Sequence, residues 1–135
     1  MTTAGSSTSS TTDRIDGMHT IGVPVTDQDQ ALEFYSKVLG FDVRVDVPMP
    51  QPGGRWIEVA PPGGGTSVAL IQASDAGAAG REIGIRFTTA DAAATHRTLA
   101  AVGVTVGELL NWPGVPPMFT FSDPDGNGFE IVQHD

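Results

Sequence analysis

Apolar residues in the first half of the chain follow two different spacings. Those of segment 21–25 occupy every second position, which predicts one face of a β-strand. In segment 27–40, Leu32, Tyr35 and Leu39 share one face at helical spacing, so a helix is predicted to follow the strand. Three further strand-like segments come next, separated by turns rich in proline and glycine: 41–47, 55–61 and 66–73. The predicted element order is βαβββ.

The same order of patterns occurs a second time. IGIRF at 83–87 repeats IGVPV at 21–25, and both predicted helices begin after an aspartate, Asp27 or Asp91, that suits the N-cap position. The second helix is predicted through residue 102, and a glycine follows each helix as is typical of helix ends. Three strand segments complete the repeat: 104–110, 116–123 and 128–135, the last two joined by a DPDG turn. The sequence therefore predicts two βαβββ modules.

Residues 1–17 carry almost no apolar side chains, and 9 of the first 12 residues are serine or threonine. Such a segment cannot bury enough apolar surface to offset the entropy of ordering it, so we expect a disordered tail. The segment also lacks the apolar run of a secretory signal peptide. We expect one folded domain over residues 18–135, with modules at about 18–76 and 77–135.

Acidic residues outnumber basic ones, 16 against 7, and the net charge is −9. This charge disfavours nucleic acids and anionic membrane surfaces as partners and favours a cationic ligand. No apolar run is long enough to span a membrane. The sequence has no cysteine, which excludes disulfides and thiolate metal ligands. We expect a cytoplasmic protein in which any metal is bound by His, Asp or Glu.

Two motifs, QALEFYSKVLGF in the first module and FSDPDGNGFEIVQ at the end of the second, resemble those of the vicinal oxygen chelate superfamily. This superfamily includes glyoxalase I, methylmalonyl-CoA epimerase, extradiol dioxygenases and the bleomycin-resistance proteins. The resemblance covers residues 18–135. It implies an α+β fold in which each module curls into a half-barrel, with a cleft that holds a divalent metal in the enzymatic members. Because one fold hosts many chemistries, the resemblance specifies the fold more closely than the activity.

Glu130 lies between the apolar residues Phe129 and Ile131 in a predicted strand that is otherwise typical of a buried one. Burying an unpaired carboxylate costs free energy, so the Glu130 side chain is predicted to be exposed to solvent, paired with another polar group or bound to a metal or ligand. The resemblance matches Glu130 to the last metal-ligand position of the superfamily. In an enzyme of this type, Glu130 would be the catalytic residue that leaves the metal or moves a proton.

The other metal-ligand positions implied by the resemblance are less well filled. The first falls on Thr20, with His19 one residue away on the opposite side of a regular strand. The fourth-strand position falls on Leu70, which cannot bind metal, and the second module offers Glu82. The best available set is His19, Glu82 and Glu130, which suits Mn²⁺, Fe²⁺, Ni²⁺ or Zn²⁺ and needs a bulge near His19. The alternative, which we favour, is a protein without a metal cofactor, in which Glu130 accepts a hydrogen bond.

Other residues are predicted to shape a ligand cleft. Arg86 is expected to share a face with Glu82, where it would either clamp an anionic ligand group or pair with a cleft carboxylate. Trp56, Trp112 and Met118 are candidate ligand-binding residues because aromatic and polarizable side chains commonly line small-molecule sites. Two further histidines, His96 and His134, are predicted to be exposed and without a chemical role.

Three functional interpretations follow. The first is a small-molecule-binding protein of the antibiotic- or metabolite-sequestering type, which binds a cationic or aromatic ligand in a cleft at or near a homodimer interface. The second is a metal-dependent lyase, isomerase or dioxygenase that acts on vicinal oxygens. The third is an interaction or structural subunit. We favour the first because the metal-ligand set is incomplete, and we expect a homodimer because half-barrels have open sheet edges.

Overall fold

Each half of the chain forms a four-stranded mixed sheet with one helical segment. The computed structural model describes residues 13–50, 54–73 and 79–135. The first half contains β1 (Thr20–Val25), α1 (Gln28–Glu33), a π-helical turn (Phe34–Val38), β2 (Asp42–Pro48), β3 (Arg55–Ala60) and β4 (Ser67–Gln72). The second contains β5 (Glu82–Thr89), α2 (Ala92–Ala101), β6 (Thr105–Val106), β7 (Met118–Ser122) and β8 (Gly128–Gln133).

The strand order is the same in the two sheets. The first sheet has the order β1-β4-β3-β2 and the second the order β5-β8-β7-β6. In each, the first strand of the module runs parallel to its last strand, and the other neighbours are antiparallel. The predicted α+β fold with two βαβββ modules is confirmed.

Parts of the predicted domain organisation lie outside the described residues. These parts are positions 1–12 of the predicted tail and positions 74–78, which contain the predicted module boundary. Residues 13–17 are exposed and belong to no helix or strand. In the described part of the chain, every helix is too short or too polar to cross a lipid bilayer.

Both helices begin where the aspartates predict. The side chains of Asp27 and Asp91 each accept a hydrogen bond of 3.0 Å from the backbone N–H three residues ahead, which is an N-cap contact. The helices predicted near 28–39 and 91–102 are confirmed to within one residue at each end, since helical residues span 28–38 and 92–101. The first α-helix changes after Glu33 into a π-helical turn, in which backbone hydrogen bonds span five residues instead of four.

Seven of the eight predicted strands agree with the structure to within two residues at each end, and the exception is the segment 104–110, of which only β6 forms. Beyond β6 the segment pairs with β7 only through the Gly107 N–H bond to the Thr120 carbonyl oxygen and an isolated bridge between Leu110 and Met118. A Cβ on Gly107 would lie 2.3 Å from the Thr120 hydroxyl oxygen, so only glycine fits there without a shift of the Thr120 side chain. His96 was predicted to be exposed and is instead half-buried. Its Nε2 lies 2.9 Å from the Gly107 carbonyl oxygen, and its ring meets Phe119 edge-on. His134 is exposed, as predicted.

One hydrophobic core joins the two modules. It is built from the face of each sheet that is turned toward the helices, and an aromatic group at its centre crosses between modules. Tyr35 lies edge-on to Phe129 at 6.3 Å, and Phe41 lies edge-on to Phe87 at 5.4 Å between ring centroids. Because alternate residues of a strand face opposite sides, the other face of each sheet lies outside this core. We call these two surfaces the open faces.

A buried polar network also ties the modules together. Tyr35 donates a hydrogen bond of 2.8 Å from its hydroxyl to Asp123, and Asn127 donates bonds to both Asp123 and the Pro24 carbonyl oxygen. Burial, and secondarily the charge of Asp123, raises the pKa of Tyr35 far above its usual range. The FY and DPDGN residues that carry the family resemblance therefore have a structural role.

Candidate functional site on the open faces

Each open face carries one glutamate between two core residues. In β3, Glu58 lies between Ile57 and Val59, which belong to the core. In β8, Glu130 lies in the same way between residues of the core. The sequence pattern that drew attention to Glu130 therefore also occurs in RWIEVA, and our sequence analysis missed it there.

Glu58 is almost fully buried, with 5% of its surface exposed, and its carboxylate accepts hydrogen bonds from three side chains. Trp56 Nε1 lies 2.7 Å and His19 Nε2 3.2 Å from Oε2, and Ser67 Oγ lies 2.8 Å from Oε1. The Trp56 bond is the largest cause of a lowered pKa of Glu58, Ser67 and His19 add to it, and burial opposes it. Glu58 is therefore held as a carboxylate anion. We refer to these four residues as the Glu58 cluster.

His19 reaches the open face without the bulge that we expected near it. The pairing of β1 with β4 is continuous from Thr20 to Val25. His19 precedes the strand, so strand alternation does not fix the direction of its side chain. The imidazole side chain is 81% exposed and touches the open face at Glu58.

Glu130 is paired and partly wet. Arg86 lies directly opposite it on the neighbouring strand, and the Arg86 Nε donates a hydrogen bond of 2.7 Å to Glu130 Oε1. The Arg86 side chain is 66% exposed and that of Glu130 is 28% exposed. Arg86 was predicted either to clamp an anionic ligand group or to pair with a cleft carboxylate, and in the structure it forms an ion pair with Glu130.

Glu82 lies on the same open face as Glu130. Its carboxylate covers Gly128, where a Cβ would come within 2.7 Å of Glu82 Oε2. The pairing of β5 with β8 shifts between Glu82 and Arg86, and the intervening Gly84 has a φ of 82°. Glycine tolerates this left-handed conformation because it has no Cβ. The irregular first strand is therefore that of the second module, β5, and not β1, where we expected a bulge near His19.

The three predicted metal ligands are divided between the two open faces. His19 contacts Glu58 on the first sheet, whereas Glu82 and Glu130 lie on the second. Within the ranges that the structure describes, no group of three or more His, Asp or Glu residues could hold a metal ion. Glu130 is also occupied by the cationic Arg86. The described residues of one chain therefore offer no set that fits a metal, and the ligand set of His19, Glu82 and Glu130 stays a prediction.

The position assigned to Leu70 was wrong. Leu70 is buried in the shared core, and the open-face residues of β4 are Ser67, Ala69 and Ile71. Neighbouring residues of a strand lie on opposite faces, so an open-face position of β4 lies one residue to either side of Leu70.

The predicted aromatic and sulfur-containing residues lie in three places. Trp56 is half-buried within the Glu58 cluster. Met118 is half-buried at the start of β7, opposite Val132 on the second open face. Trp112 is 60% exposed in the loop between Leu110 and Met118.

A cavity of about 420 Å³ lies where β1 and β5 approach each other. Its walls include the turn at 61–64, Ser67 of the Glu58 cluster and Arg86 of the second sheet. This volume lies within the range of small-molecule sites. The cavity therefore adjoins polar groups from both modules.

Comparison with known proteins reveals relatives that extend along nearly the whole chain. The uncharacterized protein YetH of Bacillus subtilis (strain 168) is 34% identical over 118 residues, which are 84% of this chain and 95% of YetH. The crystal structure of TnmS3, an antibiotic binding protein from Streptomyces sp. CB03234, is 36% identical with a TM-score of 0.77, and covers 90% of this chain and 98% of TnmS3.

A superfamily member from Sphaerobacter thermophilus is 35% identical, with a TM-score of 0.75, and the match covers 89% of this chain and 98% of that protein. The sequence profile of the Glyoxalase/Bleomycin resistance protein/Dioxygenase superfamily matches residues 17–131. With the duplicated modules and their strand order, these matches show that the chain belongs to the glyoxalase/bleomycin resistance protein/dioxygenase superfamily.

Proposed function

We propose that this protein binds a small molecule in the cavity between β1 and β5, where the two modules meet, and sequesters it without a metal cofactor. The observation that carries the proposal is the cavity of about 420 Å³ bordered by Ser67 and Arg86. A ligand there would contact Ser67, which bonds to Glu58, and Arg86, which pairs with Glu130. A concave space of this size bordered by a few oriented polar groups is typical of ligand sites.

The relationship to TnmS3 supports an antibiotic as one class of ligand. TnmS3 is described as an antibiotic binding protein, and its similarity to this chain extends over both modules. The negative net charge and the half-buried Trp56 favour a ligand that is cationic, aromatic or both.

A homodimer would complete the site. The first open face exposes Val47 of β2 and Ile71 of β4, beside the Glu58 cluster. Contiguous exposed apolar surface marks interaction sites, and these two side chains contribute apolar surface on the same sheet face. We therefore propose that a second copy covers part of this face, with the ligand at or near the interface.

The experiment that tests ligand binding is a titration of tryptophan fluorescence with a panel of cationic and neutral aromatic antibiotics, bleomycin included. The two tryptophans permit a matched pair of variants, Trp56→Phe and Trp112→Phe. We expect quenching in the wild type and in Trp112→Phe, and loss of the response in Trp56→Phe. If no compound on the panel changes the fluorescence, the sequestration proposal fails and the structural-subunit interpretation gains support.

The enzymatic alternative differs in its requirement for a metal. A lyase, isomerase or dioxygenase of this superfamily would need His19, Glu82 and Glu130 to meet between two copies. Elemental analysis of protein purified without chelator or affinity metal separates the two proposals. One metal ion per site would favour the enzyme, and protein without metal that still binds the panel would favour sequestration.

A further inference from the structure

We infer that Glu58 binds an ammonium group of the ligand, which replaces the His19 imidazole at the carboxylate. This inference rests on the proposed small-molecule function and specifies the chemistry that one end of the ligand must have. It concerns the first open face, where β3 and β4 bring together the residues of the Glu58 cluster.

Among the described residues, the charge of Glu58 lacks a permanent counterion. Its carboxylate is nearly inaccessible, yet two of its three donors, the Trp56 indole and the Ser67 hydroxyl, are neutral. Among the described residues its ion-pair partner is His19, which is charged only when protonated. A buried carboxylate that lacks a permanent cation is stabilised strongly by one that arrives with a ligand.

His19 is the partner that a ligand can replace. Its side chain is largely exposed, it stands before β1, and its 3.2 Å contact with Glu58 is the longest of the three. Trp56 and Ser67 are held by β3 and β4, so their donors stay in place when His19 moves. Rotation of the imidazole into solvent would uncover Oε2 on the accessible side of the carboxylate.

A second oxygen next to the cluster favours a group with several N–H donors. Thr20 is paired with Ser67 across β1 and β4, and its Oγ1 is buried without a hydrogen-bond partner among the described residues. An ammonium group carries three donors and can bond to a carboxylate and a hydroxyl at once, whereas an alcohol has one. The unpaired hydroxyl therefore adds to the selectivity for an ammonium group.

The surroundings indicate what carries the amine. Trp56 supplies an indole beside Glu58, and Val47 and Ile71 expose apolar surface on the same open face. A cation beside an indole gains cation–π attraction. We therefore infer a primary amine attached to an aromatic or apolar frame.

The test uses benzylammonium as the probe and benzyl alcohol as its neutral counterpart of similar shape. Two-dimensional ¹H–¹⁵N NMR follows the indole N–H signals of the two tryptophans, assigned with Trp112→Phe. We expect benzylammonium to shift the Trp56 signal and leave Trp112 unchanged, and benzyl alcohol to bind more weakly by about tenfold because it brings no charge. Equal affinities for the two probes would overturn the inference, as would a shift of Trp112 alone or of neither signal.

Variants assign the effect to the carboxylate. Glu58→Gln should weaken benzylammonium binding by about tenfold, whereas Glu33→Gln, which removes the same charge from an exposed helix position, should not. His19→Ala should strengthen binding by about two- to fivefold because the competing donor is gone. This variant changes only an exposed side chain, so it keeps the test decisive if Glu58→Gln fails to fold. Weaker binding in His19→Ala would overturn the replacement.

Failure of this inference is distinguishable from failure of the proposed function. If Glu58→Gln and the wild type bind benzylammonium equally while the antibiotic panel still quenches Trp56, sequestration stands and the ammonium site is wrong. If the panel gives no response but benzylammonium binds in a Glu58-dependent way, the ammonium site stands without the antibiotic ligand.

Discussion

At the scale of single residues, Glu58 and Glu130 show how the same local pattern leads to two electrostatic environments. Each interrupts a run of core residues on its strand. Glu130 lies opposite Arg86 and keeps contact with water, whereas Glu58 is enclosed by an indole, a hydroxyl and an imidazole. Arg86 is a permanent cation on the strand next to Glu130, whereas the neutral donors to Glu58 are Trp56 on its own strand and Ser67 on β4.

The lowered pKa of Glu58 predicts a contribution to stability that depends on pH. A carboxyl group whose folded-state pKa lies below its ordinary value of 4.5 stabilises the fold above that value, and the contribution disappears as the pH falls through the folded-state pKa. The difference in free energy of unfolding between wild type and Glu58→Gln should therefore be larger at pH 7 than in acid, below both pKa values. Urea denaturation of both proteins at several pH values measures this difference, and Glu33→Gln serves as the control. A difference in the free energy of unfolding that stays the same at all pH values would contradict the prediction.

Glu130 is expected to matter little for stability. Its ion pair with Arg86 is largely exposed on the arginine side, and such pairs contribute about 0–1 kcal/mol. We expect Glu130→Gln to melt close to wild type and both proteins to melt alike with and without EDTA. A melting temperature of the wild type that falls by several degrees in EDTA, with no such fall in Glu130→Gln, would instead identify Glu130 as a metal ligand.

At the scale of elements, the contacts between modules depend on a few residues at the end of α1 and in the DPDG turn. Tyr35 lies in the π-helical turn, so its ring reaches Phe129 and its hydroxyl reaches Asp123 of the other module. Asp123 also accepts bonds from Asn127 and organises the turn before β8. The turn that precedes Glu130 is thereby held by the first module.

Tyr35→Phe should destabilise the protein while leaving its core packed. The variant keeps the ring and removes a buried hydrogen bond to a carboxylate, which costs about 1.5–3 kcal/mol. Thr26→Val removes an exposed hydrogen bond from the Thr26 hydroxyl to Asp125 in the DPDG turn, and it should lower the free energy of unfolding by less. Urea denaturation of both variants tests this order, and equal stability of Tyr35→Phe and wild type would contradict it.

Prediction of elements from the sequence succeeded where the signal is local. The N-cap aspartates, the alternation in β5 and the repeat of the βαβββ order were all recognised correctly. The length of β6 was not: the strand ends at Val106, and the next residue, Gly107, contacts Thr120 of β7 and His96 of α2. These are tertiary contacts that leave no periodicity in the segment itself.

At the scale of the whole molecule, a single core shared by both modules leaves one face of each sheet outside it. The two open faces hold separate polar groups, the Glu58 cluster and the Arg86–Glu130 pair. The cavity between β1 and β5 borders on both. A ligand or a second chain can therefore contact the two groups together.

We predict a homodimer whose contact includes the first open face. Light scattering at micromolar concentration should give twice the chain mass of 14.0 kDa. Val47→Asp should weaken the dimer because it places a charge on this apolar surface, whereas Val102→Asp, at an exposed position just after α2, should not. A mass of one chain for the wild type would contradict the prediction.

The sequence by itself determined the two modules, their element order and the face of the strand on which Arg86 and Glu130 lie, because periodicity, capping and repetition act over a few residues. Only the tertiary structure decided which side chains meet. His19 and Glu58 are separated by 39 positions in the chain, and Arg86 and Glu130 by 44. Each contact depends on strand register, where a shift of one residue exchanges the faces, as the misplaced Leu70 shows. The Glu58 cluster exists because pairing of β4 with β1 and β3 brings Ser67 and His19 to one carboxylate.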